Sequence, residues 1–331
     1  MYQLSDWLPT TRKEMELRGW ERADVILFSG DAYVDHPSFG VAVVGRILEA
    51  CGLRVCIVPQ PDWHGDLRDF KRLGRPRLFF GISPGCMDSM VNKYTAARRL
   101  RSEDAYSPNG KHSMRPEYAT TIYSNILREL YPDSAIVIGG IEASMRRFTH
   151  YDYWQDRLMS SILVDSKADI LVYGMGERAT REIAKRLSRG EKVDTLTDIR
   201  GTAYAGKPGD CAFPHVTVPS FENVVADKRD YAEATRVEAG GALAVDRHGF
   251  AQMVTEKIKN HPNITVSHGE VTEVPEGPVI IATGPLTSDA MSEAIGKYFG
   301  ETGYLHFFDA AAPLVTAESI DMNLAWWQSR Y

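Results

Sequence analysis

Residues able to handle a ligand are concentrated in three short stretches of this chain. The densest is AIVIGGIEASMRRFTHYDYW, residues 135–154. Gly139 and Gly140 let a ligand approach the backbone closely, and the turn that follows opens a helix whose first N–H groups are free. Glu142, Arg146, Arg147, His150, Tyr151, Asp152, Tyr153 and Trp154 come directly after. Glycines and a helix N-terminus suit an anion, although the Glu142 carboxylate already occupies the positive end. The second stretch runs from Ser29 to Pro37 and carries Asp31, Asp35 and His36. The third is Gly174-Met175-Gly176-Glu177.

Each of these residues has two readings. Glu142 and Arg146 are ligand contacts, or an i,i+4 surface pair. His36 is an axial ligand to a metal or corrin, or a turn histidine. Asp31 faces a ligand or, like Asp35, caps the helix that follows. Glu177 accepts from a ribose hydroxyl, or is an acid in a first helical turn. Tyr151, Tyr153 and Trp154 stack on a planar ligand, or belong to an apolar face. Taken as one set, Asp31, His36, Gly139, Gly140, Glu142, Arg146 and Glu177 are the predicted ligand contacts.

These stretches need a scaffold that brings them together. Apolar, β-branched runs at 23–28, 54–58, 78–82, 135–138 and 168–173 read as buried strands. Helical patterns follow at 40–50, from about 88 to 100, at 117–130, from 141 and from 177 to 187. Strands alternating with helices predict a doubly wound α/β fold with a mostly parallel five-stranded sheet. In such a sheet the turns at 29–40, 139–142 and 174–177 share one edge, where ligands bind. Residues 1–218 form this domain and 219–241 a junction. Residues 242–331 form a smaller α/β segment, with a helix at 251–260 and strands at 264–267 and 278–284.

Composition narrows the classes. The length of 331 residues suits about two domains. A hydrophobic fraction of 44% and a net charge of −6 describe an ordinary globular protein, with no global reason to bind nucleic acid. No apolar run approaches a membrane span and the first residues lack a signal-peptide core, so a cytoplasmic protein with no membrane partner is expected. Cys51, Cys56, Cys86 and Cys211 form no CxxC or CxxxCxxC. Free thiols in a reducing compartment, and no metal site, are the expectation.

LGRPRLFFGIS, MDSMVNKYTAARR, GGIEASMRRFTHYDYW and ADILVYGMGE resemble the N-terminal region of the YgiQ-type radical-SAM family. TTRKEME, GDAYVDHPSFG and PSFENVVADKRDYAEATR extend that resemblance over roughly residues 1–237. It implies a cobalamin-binding-like or flavodoxin-like α/β domain placed before a radical-SAM barrel, with a [4Fe–4S] cluster and S-adenosylmethionine as the family cofactors. Some cobalamin sites use D-x-H-x-x-G with the histidine as ligand. Here the run is Asp35-His36-Pro37-Ser38-Phe39-Gly40, a different spacing. A radical-SAM cluster needs three thiolates, and CxxxCxxC does not occur.

GGALAVDR, VTEVPEGPVIIATGPLTSDA, FFDAAAPLV and SIDMN resemble the middle of the folate- and FAD-dependent tRNA (uracil-5-)-methyltransferase family, TrmFO. This second resemblance covers about 239–331. It implies FAD contacts at Arg247, Thr283 and Gly284, methylenetetrahydrofolate as co-substrate and tRNA as partner. The chain thus resembles two partial enzymes joined near 237–241. The first is taken as its identity: an N-terminal module without chemistry of its own, awaiting a catalytic domain and an unidentified small molecule. The alternatives are a tRNA-methyltransferase fragment, or a non-catalytic module for a small molecule or nucleotide. With no G-x-G-x-x-G turn, tight FAD binding is not expected, nor is SAM cleavage or uridine methylation.

Overall fold

The computed structural model describes residues 6–207, 211–239, 247–283 and 287–299. The chain divides into two compact units, residues 1–241 and 242–330. The first begins with α1 (Arg12–Leu17), β1 (Val25–Ser29), α2 (Gly40–Ala50), β2 (Val55–Pro59), α3 (Arg68–Lys71) and β3 (Phe79–Ser83). It continues through α4 (Ser89–Lys93), α5 (Ala119–Leu130), β4 (Ala135–Ile138), α6 (Gly140–Met145), β5 (His150–Asp152) and β6 (Arg157–Met159). It closes with α7 (Ile162–Asp165), β7 (Ile170–Val172), α8 (Glu177–Ser188), β8 (Thr202–Tyr204), α9 (Phe221–Ala226) and α10 (Lys228–Ala239).

The sheet order is β2-β1-β3-β4-β7-β8. The first five strands are parallel, as the alternating pattern predicts. A sixth strand, β8, pairs antiparallel with β7 and was not expected. Alternate side chains leave opposite faces of a strand, so both faces must be covered for runs as apolar as these. One face buries Ile26, Phe28, Phe80 and Ile138 with Tyr123 and Leu127 of α5. The other buries Leu27, Phe79 and Val137 with Leu48 of α2 and Ile183 of α8.

One expectation in this unit fails locally. The helix expected over 88–100 stops at Lys93, and Tyr94 is extended (φ −121°, ψ 151°). The chain turns back so that Tyr94 pairs with Leu100 across a β-bridge. Tertiary contacts of the Tyr94 ring and hydroxyl override helix propensity there. His150, Tyr151 and Asp152 of the polar cluster form strand β5, which pairs antiparallel with β6 in a hairpin.

In the second unit the described residues form α11 (Arg247–Lys259) and α12 (Asp289–Phe299). The strands expected at 264–267 and 278–284 are not formed among the described residues. Ile280 is 93% exposed, and a strand without a paired neighbour or a covered face gains little. Gly284, FFDAAAPLV and SIDMN lie outside the described residues.

Candidate functional site

The parallel register brings the ends of β1, β3, β4 and β7 to one edge, and a cavity of about 330 Å³ opens there. Its apolar floor is built from Leu27, Phe79, Val137 and Val172, and Val41, Val44 and Thr180 wall it from α2 and α8. Its rim is Ser38, Gly139, Gly140, Gly174, Met175 and Glu177. Gly81, inside β3, keeps the floor open. A Cβ there would sit 2.6 Å from Leu27 Cδ2. At the rim Gly140 takes φ +83°, and a Cβ on it would meet Ser83 Oγ at 2.8 Å. The turn therefore passes close to β3 only because residue 140 is glycine.

Four of the seven predicted contacts lie in or beside this cavity. Gly139, Gly140 and Glu177 line the cavity, and His36 stands exposed beside Pro37 and Ser38 of its rim. His36 Nδ1 accepts the Ser38 N–H at 3.2 Å, so the imidazole orders its own turn. Neither Asp31 nor Asp35 caps α2, whose N-cap is Phe39 with no side-chain cap. Asp35 instead accepts from Arg46 Nε at 2.9 Å.

Asp31, Glu142 and Arg146 follow the same strand ends but are not among the residues that line this cavity. Asp31 is buried and accepts the Cys86 N–H at 2.6 Å, with Arg115 Nη2 2.8 Å from its other oxygen. Arg115, itself 1% exposed, also reaches Asp104 at 3.1 Å and the Pro84 carbonyl at 2.9 Å. Burial raises the Asp31 carboxyl despite that guanidinium. Glu142 is fully buried. Its carboxylate accepts the Ser89 N–H at 3.1 Å, the Thr120 N–H at 2.9 Å and the Ser89 hydroxyl. Burial, then the nearby Asp88 charge, push its pKa up. Glu142 therefore ties the starts of α4 and α5 together, and the expected surface pair with Arg146 is not made. Arg146 pairs instead with Asp88, the N-cap of α4, and lies over the Tyr118 ring.

Sequence reasoning missed Val44 and Thr180 of the cavity, and held Ser38 and Met175 only as members of the turns at 29–40 and 174–177. Gly81 was the available signal, since glycine inside an apolar strand marks a close approach. Tyr153 and Trp154 take no part in this cavity. They pack on each other, and Trp154 packs on Tyr94.

The cysteines do not suit a cluster. Cys51 follows α2 at the edge where β2 begins, while Cys86 follows β3 at the opposite edge. Cys56 lies buried within β2 and Cys211 is exposed. Burial pushes the Cys56 thiol up to about 12. Burial and the Asp31 carboxylate push Cys86 up to about 11. Both lie above the range of an ordinary thiol. Among the described residues no group of three or more His, Cys, Asp or Glu could hold a metal ion. Of the expected flavin contacts, Arg247 begins α11, and Thr283 is exposed with its hydroxyl 2.5 Å from that of Thr287. No helix among the described residues is long and apolar enough to cross a membrane.

The profile described as Radical SAM N-terminal matches residues 7–290, which runs past residue 237 where the first resemblance ends. A UPF0313 protein of Porphyromonas gingivalis is 62% identical over 240 residues, covering 71% of this chain and 38% of that protein. One from Bacteroides thetaiotaomicron is 57% identical over 248 residues, covering 71% and 40%. One from Pseudomonas putida is 43% identical over 298 residues, covering 82% and 39%. The chain thus spans about two fifths of the length of these relatives. The radical S-adenosylmethionine methyltransferase TsrM of Kitasatospora setae aligns with a TM-score of 0.37 at 19% identity, over 56% of this chain and 29% of that one. That likeness is too slight to argue from. None of these names speaks of flavin or folate, so the TrmFO-like reading of 239–331 gains no support from them.

Proposed function

Because the chain belongs to the Radical SAM N-terminal family, we propose that it is the ligand-holding N-terminal module of a YgiQ-type radical-SAM protein. It does not perform the radical step by itself. The observation that supports this is the cavity at the carboxyl edge of the parallel sheet, with an apolar floor and a glycine rim. Apolar walls take up the body of a small molecule. Ser38, Thr180 and Glu177 supply the few polar contacts that orient it. A [4Fe–4S] cluster and S-adenosylmethionine belong to the family's chemistry, and they would be held by the part of the protein that this chain does not span. The free thiols fit a reducing, cytoplasmic setting.

Two measurements test this reading. The chain is incubated anaerobically with iron, sulfide, dithionite and S-adenosylmethionine. 5′-Deoxyadenosine is expected to stay at the level of a variant with all four cysteines changed to serine. Turnover above that level overturns the proposed division of labour. The cavity is tested with Val44→Trp, which fills it from α2. Native mass spectrometry is expected to find a small molecule retained by the wild type and lost from the variant. Equal retention by both places the ligand elsewhere.

A further inference from the structure

A second cleft, of about 280 Å³, is lined by Met90, Tyr94, Arg98, Glu117, Tyr118, Trp154 and Gln155. It shares no lining residue with the first cavity. We propose that it binds a nucleotide, the base stacked on Trp154 and Tyr94 with its N–H edge toward Glu117, and the phosphate at Arg98. This inference stands apart from the reading of the first cavity.

The walls are aromatic and set in advance. The Tyr94 and Trp154 rings pack on each other with centroids 5.4 Å apart, so a base stacks on the pair and not between them, and Met90, 3% exposed, provides an apolar lining. The Tyr118 hydroxyl donates to Asp152 Oδ1 at 3.0 Å, and the same oxygen accepts the Trp154 and Gln155 N–H groups at 2.9 and 2.8 Å. Little side-chain freedom is left to lose on binding, which favours affinity. Two lining residues, Arg98 (φ 57°) and Tyr118 (φ 50°), are held in the left-handed region although neither is glycine. Such strain persists where the surroundings enforce it, and ligand sites are a common reason.

The charges select the ligand. Glu117 Oε1 accepts from the Tyr94 hydroxyl at 2.5 Å and from Lys93 Nζ at 3.0 Å. Its carboxylate presents acceptors only, which a heterocyclic N–H edge satisfies. Arg98 is exposed at the mouth, its guanidinium 4.5 Å over the Tyr153 ring and bonded to the Tyr153 carbonyl at 2.5 Å. A bare anion would meet Glu117, and a bare cation would meet Arg98 and Lys93. A plain hydrocarbon would leave both charges unused. A planar nitrogen heterocycle carrying an anion uses all of them, and aromatic walls beside arginine are how proteins hold bases without sequence readout.

Calorimetric titration of the 331-residue chain with AMP, GMP, CMP and UMP tests the proposal. At least one is expected to bind, more tightly than its nucleoside, with ribose 5-phosphate alone giving no heat. Trp154→Ala is expected to weaken that binding about 5- to 150-fold, the range for losing one stacked base. Arg98→Gln, at an exposed side chain, is expected to abolish the preference for the nucleotide over its nucleoside. Val44→Trp, in the other cavity, is expected to change nothing. Tetra-adenylate binding tighter than AMP assigns the base to a single strand, and equal binding assigns a free nucleotide. Silence from all four nucleotides, or wild-type binding by both Trp154→Ala and Arg98→Gln, overturns the assignment.

Discussion

Two buried carboxyl groups, Asp24 and Glu142, are shifted by the fold in opposite directions. Asp24, 4% exposed, accepts from the Arg54 backbone and guanidinium and from Arg77 Nε at 2.6 Å. Burial alone would raise its pKa, but the hydrogen bonds from Arg54 and Arg77 outweigh it and hold the carboxyl at about 2. A carboxyl depressed in the fold contributes stability above its unfolded pKa, and that contribution disappears as pH falls through the folded value. Asp24→Asn is therefore expected to lose about 2 kcal/mol at neutral pH. The gap to the wild type should close between pH 4 and pH 2 in urea melts, and a gap independent of pH would contradict the assignment. Glu142 is the reverse case, raised by burial but surrounded by donors. A glutamine has one acceptor oxygen and turns an N–H₂ toward the Ser89 or Thr120 N–H. Glu142→Gln is expected to cost about 1–3 kcal/mol in the same melts. An unchanged midpoint would return Glu142 to the ligand contacts.

At the scale of elements, the turns that end the strands depend on glycine for position as well as for φ. Gly140 needs both a positive φ and the absence of a Cβ against Ser83 and Pro84, whereas Gly74 (φ +73°) has open space around it. Gly140→Ala is expected to destabilise by about 1–3 kcal/mol, more than Gly74→Ala, where only the left-handed conformation is penalised. Equal costs at both sites would mean that β3 yields to the turn. The turns and the five parallel strands were legible because runs such as AIVI and LFFGI are continuous, β-branched or aromatic, and closed by glycine or proline. β8 was not, since three residues, TAY, carry no periodicity and become a strand only by pairing with β7. The end of α4 was not legible either, because Tyr94 leaves the helix for partners far along the chain. At the site, the sequence placed Gly139, Gly140 and Glu177 at the shared edge from topology alone. It could not separate them from Asp31, Glu142 and Arg146. A polar residue beside a turn reads the same whether its side chain faces the cavity or turns into the core to satisfy other helix starts.

Over the whole molecule, the described residues of the two apolar clusters that cover the faces of the sheet lie between Leu8 and Ala203. Leu8 and Met15 are fully buried, so the lead-in before β1 belongs to that core, and a capping box between Thr11 and Glu14 fixes α1 within it. The second compact unit begins at residue 242. A cooperative core that is complete within one stretch of chain folds with that stretch. A protein ending at residue 241 is therefore expected to give the same urea midpoint as the 331-residue chain. It should also give the same loss on Glu142→Gln. A midpoint lower by the equivalent of more than about 1 kcal/mol, within which distant and independent changes leave a fold, would show that residues beyond 241 stabilise the first unit.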